Sequence, residues 1–197
     1  MVRSAPVKKR VVAFFDCQNL FQAVKGLWGY TYPNFDPIKL AKMIVKNHSS
    51  DRWALDGIRL YTGIHEHAHD KRWHTFWTNK LNAHRVSDSR VFAFTTPLRY
   101  TDNIPREKGI DVRIAIDLVV MAIDGMYDVA LLFSQDNDLA QAAAEIRTIV
   151  QKQQRWIKIA SAYPYQPECA NPRGVNQTDW IRISKTEYDA CVDHTKY

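Results

Sequence analysis

The stretch Val11-Val12-Ala13-Phe14-Phe15-Asp16 (VVAFFD) decides how the rest of the chain is read. Five apolar residues, β-branched or aromatic for the most part, run without a polar interruption and stop at a carboxylate. A strand solvated on one face would alternate polar and apolar residues. An unbroken short run instead signals a strand covered on both faces, as in a parallel sheet sandwiched by helices. Lys8-Lys9-Arg10 ahead of the run resembles the charged start of a signal peptide, but five apolar residues are too few for its hydrophobic segment and no small-residue cleavage site follows. The expected compartment is therefore the cytoplasm.

Outward from this strand, the pattern repeats. Asn19 to Lys25 reads as helix, and Asp36-Pro37 opens a second helix to about Lys46, with proline in its first turn. Gly57 to Gly63 (GIRLYTG) reads as a strand. His67 to His84 carries Trp73, Phe76, Trp77 and Leu81 at spacings of three and four, an amphipathic helix. Val91 to Thr95 is a strand, and Asp102 to Gly109 a polar loop. Ile110 to Ile123 is a buried helix, and Asp128 to Ser134 (DVALLFS) a strand. Asp138 to Val150 is a helix, Trp156 to Ser161 a strand, Tyr163 to Thr178 a proline-containing loop, and Trp180 to Ile183 a last strand. Ser184-x-x-Glu187 is a capping box that starts a final helix. Strands alternating with helices imply an α/β fold, with a mostly parallel central sheet and helices on both faces. The 197 residues suit one domain, 1–197, with its core at about 11–160 and a C-terminal loop, strand and helix over 161–197.

Composition excludes several classes. No run of 18 apolar residues exists, so no membrane span is expected. Cys17, Cys169 and Cys191 form no C-x-x-C pair and read as buried free thiols. A net charge of +6 and a pI of about 9.2 suit a polyanionic partner. Glycine-rich phosphate loops and the G-x-S-x-G elbow are missing. The segment His65-Glu66-His67-Ala68-His69 matches H-E-x-x-H, the zinc-protease pattern. It follows directly on a strand and is expected to be a solvated turn. The neighbouring mixture of His69, Lys71, Arg72, Trp73, His74 and Trp77 suits either an RNA groove or a helix with core tryptophans and solvated charges.

In open α/β sheets, ligands bind beyond the carboxyl ends of the strands. Asp16 ends the first strand; Ser134, Asp136 and Asp138 follow the strand that starts at Asp128; Asp111 opens a helix just after Lys108-Gly109. Carboxylates gathered at one sheet end repel each other unless a cation neutralises them. Oxygen donors without thiols favour Mg²⁺ or Mn²⁺ over zinc. Such ions serve phosphoryl chemistry by acidifying a water and stabilising the leaving oxygen. Asp138 and Asp111 are each open to a second reading as helix caps. Asp117, six residues from Asp111, lies about 120° away around its helix and pairs either with the site or with a structural Arg or backbone group.

Three blocks carry a resemblance. Phe14-Phe15-Asp16-Cys17-Gln18-Asn19, then Lys108-Gly109-Ile110-Asp111-Val112 with Asp117, then Leu132-Phe133-Ser134-Gln135-Asp136-Asn137-Asp138-Leu139 occur in order. Together they resemble the NYN domain family of the PIN-like ribonuclease superfamily. The resemblance implies a three-layer PIN-like fold and metal-dependent hydrolysis of RNA. By it, Asp16, Asp111 and Asp136 hold Mg²⁺ or Mn²⁺, with Asp138 as a further catalytic acid. Asn19 and Ser134 orient Asp16, a water or a phosphate, and Lys108 meets the substrate backbone. Cys17 and Leu139 stand where family members often have Gly and Phe. The alternatives are a non-catalytic RNA- or protein-binding module and a structure-selective DNA nuclease. The loop Tyr163 to Thr178 suits a groove wall or a homodimer contact equally.

Overall fold

The computed structural model describes residues 4–102, 104–168 and 173–197. Along the chain, β1 (Lys9–Asp16) leads into α1 (Cys17–Trp28) and α2 (Pro37–Asn47), then β2 (Trp53–Ile64), α3 (Lys71–Ser87) and β3 (Val91–Pro97). A small hairpin, β4 (Arg99–Thr101) and β5 (Ile104–Arg106), precedes α4 (Ile110–Ile123). The second half adds β6 (Val129–Phe133), α5 (Ala140–Gln153), β7 (Lys158–Pro164), β8 (Asp179–Ile183) and α6 (Lys185–Asp189).

Six strands form one sheet in the order β3-β2-β1-β6-β7-β8. Every neighbouring pair in it is parallel. The residues of β1 alternate between two cores. Val11, Ala13 and Phe15 join apolar residues of α1, α2 and α3 on one face. Val12 and Phe14 join those of α4 and α5 on the other. This three-layer packing explains the unbroken apolar run, since neither face of β1 meets water. Each such large side chain contributes roughly 1.5–3 kcal/mol by leaving water. Phe15 and Phe133 are register partners on β1 and β6, and their rings stack at 3.9 Å with planes 5° apart.

Several element boundaries differ from the sequence reading, each for a local reason. The third helix starts at Lys71, not His67, because Asp70 caps it by accepting the Trp73 N–H. The helix expected from Asp138 begins as a 3₁₀ turn, Asn137–Leu139, because Asp136 caps that turn. The expected loop at 102–109 contains β5, antiparallel to β4. Pro105 hid this strand, but proline is tolerated in a two-stranded edge where its missing N–H costs no ladder bond. Ser184 and Glu187 do form the reciprocal capping box. Cys17 and Cys191 are buried free thiols; Cys169 lies outside the described residues.

The C-terminal elements belong to the same cores. Ile183, Tyr188 and Cys191 pack with α1 and α2, and the buried Lys80 Nζ donates to Asp193 at 2.8 Å. Strand order reverses between β1 and β6. From β1 the chain moves outward to β2 and β3, then crosses to β6 and moves the other way. The crevice at the carboxyl ends of β1 and β6 is therefore the topological switch point of the sheet.

Candidate active site

Asp16 is the last residue of β1 and also the N-cap of α1. Its buried carboxylate accepts the Asn19 N–H at 3.1 Å and the Ser134 hydroxyl at 3.4 Å. The Ser134 oxygen in turn accepts the Asp136 N–H at 3.0 Å. Asn19 Oδ1 accepts the Gln135 N–H at 2.8 Å. The segment after β1 and the segment after β6 thus interlock, which holds Asp16 and Asp136 across the switch point.

These residues open on a cleft of about 350 Å³, whose walls include Asp16, Asn19, Glu107, Asp111 and Asp136. Asp111 lies in the first turn of α4. It does not cap that helix: the N-cap is Gly109, in the left-handed region at φ 79°, with no side-chain bond. Ser134 is buried behind Asp16. Lys108 and Asp138 are not among the lining residues, and both are exposed. Asp138 does not cap a helix with its side chain; its N–H instead donates to Asp136 at 3.0 Å.

Glu107 is the acid that the sequence reading missed. Its carboxylate accepts the Gly63 N–H and the Thr62 hydroxyl at 3.4 Å. The partners lie 44 residues apart, so no local pattern announces them. Its only sequence signal is its position one residue ahead of Lys108-Gly109.

The electrostatics are unfavourable for bare carboxylates. Burial pushes the Asp16 carboxyl up to about 7; the Asn19 N–H and Ser134 hydroxyl oppose the shift, while the charges of Glu107 and Asp136 add to it. Burial also raises Glu107, against the Gly63 and Thr62 hydrogen bonds, and Asp111 adds repulsion. Elsewhere the buried acids are paired, Asp128 with Arg10, Asp117 with Arg113 and Asp193 with Lys80, as is the half-buried Asp88 with Arg90. Among the described residues, Asp16, Glu107, Asp111 and Asp136 form no ion pair.

No three such side chains converge tightly enough to constitute a ready metal group among the described residues. The four acids nevertheless suit a hard divalent cation in donor chemistry, being all oxygen and without an internal counter-charge.

Asp117 belongs to a different arrangement. It accepts the Tyr61 hydroxyl at 2.8 Å and Arg113 Nε–H at 2.9 Å, beneath α4 and away from the cleft lining. Of its two readings, pairing with a structural Arg is the one seen. The His65-to-His69 segment precedes α3 and is not helical, so it lacks the shared helix face that a zinc protease needs. His65 Nδ1 lies 2.6 Å from the Tyr100 hydroxyl, and His69 stacks on the Tyr100 ring at 4.2 Å. Trp77 is core, and Trp73 packs against the same core.

Comparison with known proteins agrees with this architecture. The NYN domain family profile matches residues 10–165. A crystal structure of a protein of unknown function from Vibrio parahaemolyticus is similar in fold, with a TM-score of 0.58 and 16% identity. The match covers 94% of this chain and 99% of that one. No curated protein matches. No helix among the described residues is long and apolar enough to cross a membrane.

Proposed function

The chain belongs to the NYN domain family of the PIN-like superfamily, and on that premise we propose that it is a divalent-metal-dependent ribonuclease. One observation carries the reading. Four carboxylates with no cationic partner among the described residues line one cleft at the switch point of the sheet, in a protein of net charge +6. Folding keeps them together at a cost that a bound cation removes.

In this reading Asp16, Asp111 and Asp136 hold Mg²⁺ or Mn²⁺, and Glu107 joins them as a fourth acid. The ion supplies Lewis acidity at the scissile phosphate and a more acidic water. Ser134 keeps Asp16 and Asp136 in register through its bonds to both. Asn19 fixes the turn that carries Asp136. Asp138, exposed beside Asp136, assists at the cleft edge, and Lys108 meets a backbone phosphate of the RNA. Hydrolysis of the phosphodiester bond leaves 5′-phosphate and 3′-hydroxyl ends.

The test compares the wild type with Asp136→Asn on end-labelled RNA, with a DNA strand in parallel, in Mn²⁺, Mg²⁺ or EDTA. Metal-dependent cleavage of RNA that falls at least about 100-fold in the variant is expected, since such an ion contributes several kcal/mol to the transition state. Equal cleavage by both proteins would sink the reading, because a contaminant would then be the nuclease. RNA binding indifferent to metal, with no turnover, would mark a binding module instead.

A further inference from the structure

We propose that a second groove, beside the acidic cleft, is a subsite for one nucleotide of single-stranded RNA, and that the β4–β5 hairpin guides the strand from this groove to the acids. The proposal rests on the ribonuclease reading and names the form in which its substrate is held.

The groove has a volume of about 430 Å³ and is walled by His65, His74, Asn82, Arg85 and Thr96 among others, between α3 and the ends of β2 and β3. This is the size range of small-ligand pockets. Its walls offer imidazoles, an amide and a guanidinium, which suit a base edge and a phosphate. The Thr96 hydroxyl is buried without a hydrogen-bond partner among the described residues. Glu66 is an acid on the rim, and it lies 3.6 Å from His69.

Among the described residues none lines both cavities, but their walls adjoin along the chain. Gly63, whose N–H holds Glu107 in the acidic cleft, is followed by Ile64, which lines the groove. One strand residue spans only about 3.3 Å. On the other side, Thr95, Thr96 and Pro97 line the groove, and Glu107, Gly109 and Asp111 line the cleft. The hairpin is the chain between them.

Its charges point to a polyanion. Arg99 and Arg106 stand directly opposite each other in the β4–β5 ladder, and both are exposed. Like charges in that position are unfavourable. Neither residue, nor Lys108, forms an ion pair among the described residues. On the next rung of the ladder, opposite Pro105, Tyr100 is pinned as a flat platform, stacked on His69 with planes 11° apart and bonded to His65. Phosphates relieve the arginine repulsion, and an unstacked base finds both an aromatic face and a pocket. Duplex RNA keeps its bases stacked and cannot use either.

The test uses Asp136→Asn protein, which leaves RNA uncut, and a fluorescent ten-nucleotide RNA. Anisotropy titrations over a salt series compare it with the same protein carrying Arg99→Gln and Arg106→Gln, and with one carrying Arg85→Gln; thermal melts check that each is folded. The double change should weaken binding more than about tenfold. It should also lower the salt slope by about 1.4, two phosphate contacts at roughly 0.7 each on single strands. Arg85→Gln should lower it by about 0.7. Unchanged affinity and slope, equally tight binding of a blunt duplex, or no RNA binding at all would each overturn the proposal. Metal-dependent cleavage by the wild type alongside unchanged binding by these variants removes the guide and leaves the nuclease. Binding that depends on the arginines without any cleavage removes the nuclease and leaves the guide.

Discussion

Asn19 Oδ1 accepts the backbone N–H of Gln135 at 2.8 Å, so a side chain, not the sheet ladder, joins the turn after β1 to the turn after β6. The family resemblance gives Asn19 a place beside the substrate; in the structure its amide oxygen is already engaged. Removing it leaves the half-buried Gln135 N–H without a partner, which costs about 1–3 kcal/mol. Asn19→Ala should therefore lower the urea midpoint and reduce kcat on RNA more than about tenfold, with KM close to wild type. A rise in KM with unchanged stability would show instead that Asn19 binds substrate.

Glu107 can lie against the end of β2 only because residue 63 is glycine. A Cβ there would stand 2.7 Å from Glu107 Cγ, and closer still to Leu98. Something must move, and such overpacking costs about 1–3 kcal/mol. Gly63→Ala should destabilise the fold and depress RNA cleavage to the level of Glu107→Gln, which keeps the side-chain volume and removes the charge. Cleavage by folded Gly63→Ala equal to wild type would show that Glu107 has no part in the reaction.

What could be read from the sequence divides along a physical line. The central strands were legible because both faces of β1 and β6 are buried, leaving apolar runs that end at Asp16 and just before Ser134. Asp16 comes near Asp136 because each lies at or just beyond the carboxyl end of its strand and β1 and β6 are neighbours. Glu107 was not legible, because Thr62 and Gly63 identify it only across the fold. The start of α3 is not legible, because His67 and His69 look no different from helix residues and only the Asp70 cap on the Trp73 N–H sets the boundary. The hairpin leaves no signal, because three-residue strands carry no periodicity.

Asp16 makes stability depend on pH in a known direction. Its carboxyl is raised by burial from an ordinary 3.8 to about 7 in the folded, metal-free protein. Below the ordinary value both states hold the proton and nothing is lost. As pH rises toward 7 the folded protein keeps a proton that the unfolded chain releases, so stability falls; above 7 the loss is complete. Asn at this position carries no charge. In EDTA, Asp16→Asn should melt near wild type at pH 4 and gain on it progressively to pH 8, by about 2–4 kcal/mol at most. Adding Mn²⁺ at pH 8 should raise the melting temperature of wild type and not of the variant. An Asp16→Asn protein less stable than wild type in EDTA at pH 8 would contradict the burial argument.

Asp111 and Asp117 share one helix, and mutation should separate them cleanly. Asp117 is buried in contact with the Tyr61 hydroxyl, Arg113 Nε and, at 4.0 Å, Arg59. Truncating it strands a buried hydroxyl and two guanidinium groups. Both arginines are partly exposed, so solvent screens them and the expected loss is only about 1–3 kcal/mol. Asp117→Ala should melt several degrees lower, yet cleave RNA within about threefold of wild type per folded molecule, since none of its hydrogen-bond or ion-pair partners lines the cleft. Asp111 forms no ion pair among the described residues and shares a cleft with three other acids. Asp111→Asn should thus melt at or above wild type in EDTA and lose RNA cleavage by at least about 100-fold. The reverse pattern, with stability lost at Asp111 and activity lost at Asp117, would mean that the structural and catalytic roles of the two α4 acids are exchanged.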